Sequence, residues 1–190
     1  MAVLQLGSVT AFGRWKMVSA FGRCPPITGL DGFDAAQYVG TWYEYERFPA
    51  PFQYGVDCST ATYTADGDTI GVRNQGTIRD RTGNVLRNVS AEGSAVALDF
   101  AKPAELAVTF GEGPRSDRPN YIVQDTDYTN YAVVFSCRQF PFWNTQFAWI
   151  LTRVPGVAPS NLDELKRNLT AAGLDVRNFS VVDQSGCPGR

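Results

Sequence analysis

The sequence predicts an all-β fold followed by a helix, and two patterns support this prediction. Between residues 41 and 153, short runs rich in β-branched and aromatic residues are separated by turn signals such as Asp66-Gly67 and Thr82-Gly83. The intervals are typical of an antiparallel barrel or sandwich. After Pro159 the apolar residues change to helical spacing. About eight strands are enough to close a barrel whose interior holds one small ligand.

The β elements are predicted in chain order after an irregular lead-in that carries Cys24. Asp34 is expected to cap one helical turn that ends at Tyr38. The predicted strands then cover residues 41–48, 57–65, 69–78, 85–95, 104–110, 119–125, 131–138 and 146–153. A ninth short strand is expected near residues 178–183.

The carboxy-terminal helix is predicted from its apolar stripe and its end signals. Leu162, Leu165 and Leu169 recur at helical spacing, with Ser160 as a candidate N-cap and Gly173 as a stop. Because the stripe needs an apolar partner and the outer wall of the barrel is the only large surface available, we expect the helix to pack there.

The composition indicates one domain and excludes several functions. A chain of 190 residues, 44% of them hydrophobic, can bury one core. A net charge of -2 leaves no broad basic face, so nucleic acid is not an expected partner. No apolar run reaches the roughly 20 residues of a membrane-spanning helix. The absence of histidine removes Ser-His and Cys-His catalytic pairs and the commonest metal ligand, and no metal site is predicted.

The amino terminus is expected to lie outside the folded domain. Residues 1–20 have no sustained apolar run and form a poor secretory leader, so a disordered extension or a leader remnant is predicted there. The folded domain is then expected to cover residues 21–190.

The four cysteines indicate an oxidising compartment. They are far apart and lack C-x-x-C spacing, so two structural disulfides are favoured over a zinc site, with three pairings open. The sequons at Asn88, Asn168 and Asn178 fit a secreted glycoprotein. The cysteines are Cys24, Cys58, Cys137 and Cys187.

Several motifs in order resemble the lipocalin family over about residues 22–188. They are Gly40-Thr41-Trp42-Tyr43-Glu44, Thr126-Asp127-Tyr128-Thr129-Asn130-Tyr131-Ala132, Phe147-Ala148-Trp149-Ile150-Leu151-Thr152-Arg153, and the tail Val182-Asp183-Gln184-Ser185-Gly186-Cys187-Pro188. The resemblance implies an eight-stranded antiparallel up-and-down β-barrel. It also implies the disulfides Cys24–Cys137 and Cys58–Cys187.

The resemblance makes the motifs the closed floor of the barrel rather than ligand contacts. In the family, the arginine that Arg153 matches lies across the indole that Trp42 matches and excludes water, a cation–π contact of about 0.5 to 2 kcal/mol. The expected floor residues are Gly40, Trp42, Thr126, Asp127, Tyr128 and Arg153.

Strand alternation and the resemblance together predict the ligand contacts. If Trp42 points inward, Glu44 and Glu46 do so as well. The inward arginine at the end of the last strand places Leu151, Trp149 and Phe147 inside. Similarity to the family adds Tyr63, Asn74 and Val134, with Ala61, Ala132 and Ser136 as small neighbours, although these side chains would equally serve as plain core packing.

Two loops at the open end carry aromatic residues beside proline. Their expected role is a lid over the ligand, with self-association or contact with a membrane or lipoprotein surface as alternatives. The aromatic residues are Phe52, Tyr54, Phe142 and Trp143.

The resemblance implies a secreted carrier of a small hydrophobic molecule such as a fatty acid, steroid, isoprenoid or retinoid-like compound. A carotenoid or bilin carrier is the alternative, and no cofactor is required. An enzyme using Glu44 and Glu46 in acid–base chemistry, or an assembly module, is a further alternative.

Overall fold

The computed structural model describes residues 17–67, 69–80 and 82–189. The elements that it describes are, in chain order, β1 (Val18–Phe21), α1 (Ala35–Tyr38), β2 (Gly40–Arg47), β3 (Val56–Asp66), β4 (Thr69–Arg79), β5 (Val85–Ala97), β6 (Glu105–Phe110), β7 (Tyr121–Thr126), β8 (Tyr131–Gln139), β9 (Trp143–Thr152), α2 (Leu162–Ala171) and β10 (Ser180–Val181). Short 3-10 helices lie at Pro51–Gln53 and Val176–Asn178.

Strands β2 to β9 form a closed eight-stranded antiparallel barrel. Each strand pairs with the next in the chain, and β9 pairs with β2 to close the sheet. Strand β10 adds to β2 beside this closure, as Val181 pairs with Glu46. Since all the connections are between neighbouring strands, one end of the barrel carries the β2–β3, β4–β5, β6–β7 and β8–β9 loops, and the other end carries the rest. The predicted barrel is confirmed.

The amino-terminal boundary differs from the prediction. Val18–Phe21 forms β1, antiparallel to β9, with Phe21 opposite Trp143. The expectation that residues 1–20 lie outside the fold is therefore wrong for residues 18–20, because β9 extends beyond its pairing with β2 and leaves an edge for another strand. The predicted extension over residues 1–16 lies outside the described part of the chain.

A β-bulge in β2 changes which face its last residues present. Glu44 is opposite Leu151, but Glu46 is opposite Ile150, so Tyr45 is the extra residue. One inserted residue moves the following side chains to the other face. Glu46 therefore pairs with Lys166 on the outer helix, at 2.9 and 2.7 Å, and the prediction that it faces the interior is wrong.

Helix α2 covers the outside of the barrel as predicted. Its buried residues Leu165 and Leu169 pack with Val133 and Phe135 of β8 in a core separate from the barrel interior. Its N-cap is Asn161 rather than the predicted Ser160. Burying an apolar stripe of this kind contributes roughly 25 cal/mol for each Å² removed from water, which holds the helix on the wall.

The two disulfides have the pairing that the resemblance implies. Cys24 is bonded to Cys137 and Cys58 to Cys187, across sequence separations of 113 and 129 residues. Loops of this length predict a stabilisation of about 4 to 5 kcal/mol each from the restricted unfolded chain. The bonds attach the lead-in and the carboxy-terminal tail to the barrel, and no free cysteine remains among the described residues.

Candidate ligand-binding cavity

The barrel interior contains two adjoining cavities near the open end. Their volumes are about 230 and 500 Å³, and the larger lies within the range of small-molecule sites. Five residues line both: Glu44, Phe52, Gln53, Asn74 and Phe110. The cavities therefore adjoin each other along β2, β4 and β6, with the β2–β3 loop at their mouth.

One wall of the smaller cavity is aromatic. Phe147 and Trp149 are two positions apart on β9, so their side chains share the inner face of the sheet, and their rings stack at 6.2 Å and 20°. Phe52 reaches over from the β2–β3 loop, with its ring 5.5 Å from that of Phe147. Planar apolar surface of this kind is suited to a rigid ring or a polyene.

Gln53 attaches the β2–β3 loop to the cavity wall. Its side-chain oxygen accepts from the indole N–H of Trp149 at 3.0 Å, and its side-chain nitrogen donates to the carboxylate of Glu44. The Pro51–Gln53 helix thus lies against the interior through a polar side chain while Phe52 beside it remains 67% exposed. The position of the loop is determined by this hydrogen-bonded bridge.

Three tyrosine hydroxyl groups meet below the cavity. Tyr121 lies between Tyr38 and Tyr63, with oxygen–oxygen distances of 3.0 and 2.6 Å. Burial raises the pKa of all three phenols above the usual value. The hydroxyl groups therefore remain neutral hydrogen-bonding groups, and Tyr121 also lines the cavity.

The floor below the tyrosines is closed by Trp42 and Arg153. Trp42 is fully buried, and the guanidinium carbon of Arg153 lies 3.6 Å from the centre of its ring. Arg153 donates to the backbone oxygens of Gln37, Tyr38, Val39, Thr41 and Tyr128 at 3.0 to 3.3 Å. Burial lowers the pKa of Arg153, but it remains a cation. Gly40 has a positive φ of 98°, and a Cβ there would lie 3.2 Å from the guanidinium.

The β7–β8 turn completes this end. The carboxylate of Asp127 accepts backbone N–H groups of Asn130 and Tyr131 at 2.7 and 3.0 Å, and Thr126 accepts the N–H of Tyr128 at 2.9 Å. Burial raises the pKa of Asp127, but the hydrogen bonds outweigh it and lower the pKa overall. The motif residues are thus brought together at the floor.

The structure divides the predicted ligand contacts into three groups. Phe52, Asn74, Phe147 and Trp149 line the cavities. Tyr63 and Val134 lie in the interior core. Tyr54, Phe142 and Trp143 stand on the exposed rim, where the Trp143 ring stacks on Phe140 at 3.9 Å.

Several cavity residues were not predicted as contacts, among them Gln53, Phe110 and Tyr121. The signal that could have identified Gln53 is its position between Phe52 and Tyr54 in a predicted mouth loop. Tyr121 reaches the site because β7 lies opposite β3 across the barrel, which its own strand pattern does not show.

A barrel with one sealed end, one open end and an internal apolar cavity defines a small-molecule container. A lipocalin-like domain model matches residues 33–184. The chain belongs to the lipocalin family.

Three similar proteins cover most of the chain. Apolipoprotein D of Mus musculus is 36% identical over 170 residues, which span 88% of this chain and 85% of that protein. The Lazarillo protein of Schistocerca americana is 30% identical over 87% of this chain and 78% of its own. The solved structure of insecticyanin from Manduca sexta has a TM-score of 0.76 and 26% identity, covering 90% of this chain and 91% of that one.

Two structural features of the described residues bear on partners. None of their helices is both long and apolar enough to cross a membrane. No group of three or more histidine, cysteine or acidic side chains in this part of the chain could hold a metal ion.

Proposed function

We propose that this lipocalin binds and transports a small hydrophobic molecule in the barrel cavity. The single observation that carries the proposal is a pair of adjoining interior cavities in a barrel that opens at the loop end and is closed by Trp42 and Arg153 at the other. A sealed floor keeps a bound apolar molecule out of water on all sides but the mouth.

Binding would be driven by removing apolar surface from water. Burying on the order of 300 Å² of ligand surface at about 25 cal/mol/Å² supplies about 7 kcal/mol before the entropy costs of association. Phe147 and Trp149 supply the aromatic wall, and Asn74 supplies a polar group. The Gln53 bridge positions Phe52 over the ligand, so the loop acts as a lid.

A pair of neighbouring substitutions tests whether the interior is the site. Ala61 lines the cavity, whereas Thr62, the next residue on β3, lines a groove on the outer wall. We expect Ala61→Leu to weaken binding of retinol about tenfold, measured by quenching of tryptophan fluorescence, because the added side chain fills ligand space. Thr62→Leu is the control and should bind as the parent does. Equal affinity in all three proteins, each shown to be folded by circular dichroism, would sink the proposal.

A pigment is the second candidate ligand. The stacked rings of Phe147 and Trp149 would flank a conjugated carotenoid or bilin, and the similarity to insecticyanin covers nearly the whole chain. Protein purified from its source should then absorb visible light. A preparation that is colourless and stays so after incubation with carotenoid and bilin rules this candidate out.

An enzyme is not favoured. Glu44 and Glu46 lie on opposite sides of the barrel wall, so they do not form an acid–base pair around one ligand. None of the three similar proteins described above has the name of an enzyme.

A secreted location fits the covalent structure. Two disulfides across long loops persist in oxidising compartments and are rare in the cytosol. Secretion is supported if the protein expressed in eukaryotic cells accumulates in the medium with both bonds formed, as mass spectrometry would show.

The rim aromatic residues are proposed as a contact between copies of the chain. Phe142 is 80% exposed and Trp143 37%, and Phe21 stands beside Trp143 through the pairing of β1 with β9. Contiguous apolar surface of this kind marks an interaction site. A membrane or lipoprotein surface is the competing partner, and binding of a monomeric protein to vesicles would favour it.

A further inference from the structure

The lining of the two cavities is almost free of acidic and basic side chains. Among the described residues that line them, Glu44 is the only aspartate, glutamate, lysine or arginine. The side chain is buried, and Gln53 donates to one of its oxygens. A charge in such a position needs a compensating partner, because removing an isolated carboxylate from water is strongly unfavourable.

Arg47 supplies that partner through its two terminal nitrogens. One terminal nitrogen donates to Glu44 at 2.8 Å and to Ser59 at 2.9 Å. The other donates to the backbone oxygens of Gln53, at 3.1 Å, and Val56. A guanidinium has four terminal N–H bonds and a fifth on Nε, and the four acceptors named account for the terminal ones. The ion pair is electrically neutral, and none of the described residues that line the cavities is a cation that could pair with a second anion.

Asn74, unlike Glu44, has a side-chain oxygen without a partner among the described residues. Its side-chain oxygen is buried and accepts no hydrogen bond from the described residues. Asn74 lines both cavities together with Glu44. A buried acceptor without a donor costs free energy, and a ligand that brings a hydroxyl or N–H group recovers it.

We propose that this cavity selects neutral ligands that carry a hydrogen-bond donor, such as an alcohol, and discriminates against the corresponding carboxylates. Glu44 is the specificity-determining charge and Asn74 is the acceptor for the ligand. The inference rests on the proposed function, since it concerns the ligand of the same cavity.

Retinol and retinoic acid test the inference because they share one carbon skeleton and differ at the polar end. Dissociation constants for both are measured at pH 7.5 by quenching of tryptophan fluorescence. We expect retinol to bind at least about tenfold more tightly. If both bind equally, or the acid binds more tightly, the selectivity is wrong while the carrier function stands. If neither binds, the carrier function itself loses its support.

A matched pair of variants assigns the effect to Glu44. Glu44→Gln removes the negative charge and leaves Arg47 as an unpaired cation, so the preference for retinol should shrink about tenfold or reverse. Glu46→Gln is the control, because that side chain belongs to the same strand and is equally buried in an ion pair, but it faces α2. A preference that changes equally in the two variants overturns the assignment.

Asn74→Leu gives a second readout that does not remove a charge. Loss of the acceptor should weaken retinol about fivefold and leave retinoic acid unchanged, so the ratio of the two constants contracts. This variant also decides the question if Glu44→Gln fails to fold. Equal loss of both ligands would show that Asn74 contributes shape alone and would contradict its proposed role.

Discussion

The two ends of the barrel use the same kinds of residue for opposite purposes. At the floor, the guanidinium carbon of Arg153 lies 3.6 Å from the centre of the Trp42 ring, and the guanidinium donates hydrogen bonds to backbone oxygens. At the mouth, Arg138 lies 5.2 Å from the ring of Phe140, and Trp143 stacks on that ring in contact with solvent. The floor is a closed structural joint, whereas the mouth leaves its aromatic surface available to a partner.

This difference separates the residues that stabilise the barrel from those that line its cavities. The family motifs contribute Trp42, Tyr128 and Arg153 to the floor, where these residues stabilise the container. Three polar residues that line the cavities, Glu44, Gln53 and Asn74, lie nearer the mouth, and of these only Glu44 belongs to a family motif. We therefore expect stability to depend on one end and selectivity on the other.

The largest expected effect on the free energy of unfolding comes from substituting a tryptophan at the floor, compared with a tryptophan at the rim. Trp42→Ala should lower the free energy of unfolding by about 3 to 5 kcal/mol, because it leaves a cavity in the core and removes the surface under Arg153. Trp143→Ala, at the rim, should lower it by less than about 1 kcal/mol. Urea unfolding of both variants measures the contrast. Similar losses would show that the mouth is as well packed as the floor.

The tyrosines above the floor give an intermediate effect that depends on pH. Because burial raises the pKa of Tyr38, Tyr63 and Tyr121, the folded state holds these protons more tightly than the unfolded chain. Their contribution is fully present below about pH 10, the unfolded pKa, and falls above it by about 1.4 kcal/mol per tyrosine and pH unit. Between pH 10 and 11, the free energy of unfolding measured with urea should therefore fall less steeply for Tyr63→Phe than for the parent protein. An unchanged slope contradicts this account.

Substitutions at the rim are expected to have the smallest effect on stability. They are expected instead to change the assembly of the protein. A double variant carrying Phe142→Ser and Trp143→Ser should stay within about 0.5 kcal/mol of the parent in unfolding, since both side chains are exposed. If the rim joins copies of the chain, the parent should show concentration-dependent sedimentation and the variant should not. If the parent protein remains a monomer at all concentrations, the proposed self-association through the rim is wrong.

The sequence predicted the scaffold with few errors. All eight barrel strands, the α1 turn capped by Asp34, the outer helix and both disulfide pairings are found in the structure. These features depend on local patterns or on whole motifs. The prediction for Glu46 failed because strict alternation cannot anticipate a bulge, whose energy depends on how β2 fits against β9.

The cavity was only partly predictable. Phe147 and Trp149 follow from alternation along one strand, and the structure places them together on the inner wall. The Gln53 bridge and the contact of Tyr121 with Tyr63 join residues far apart in the chain. Such contacts depend on loop conformation and on which strands face one another across the barrel.

The sequence by itself determined the class of container, because strand periodicity, helix spacing and the Gly40, Trp42 and Arg153 motifs are local in origin. The tertiary structure decided how charge is arranged inside it. The inserted residue in β2 directs Glu46 to the helix and leaves Glu44 inside with Arg47, while the side-chain oxygen of Asn74 faces the same space and has no donor among the described residues. The bulge depends on how β2 fits against β9, and the Glu46–Lys166 pair depends on the distance between β2 and α2, so both are decided only when these elements pack together.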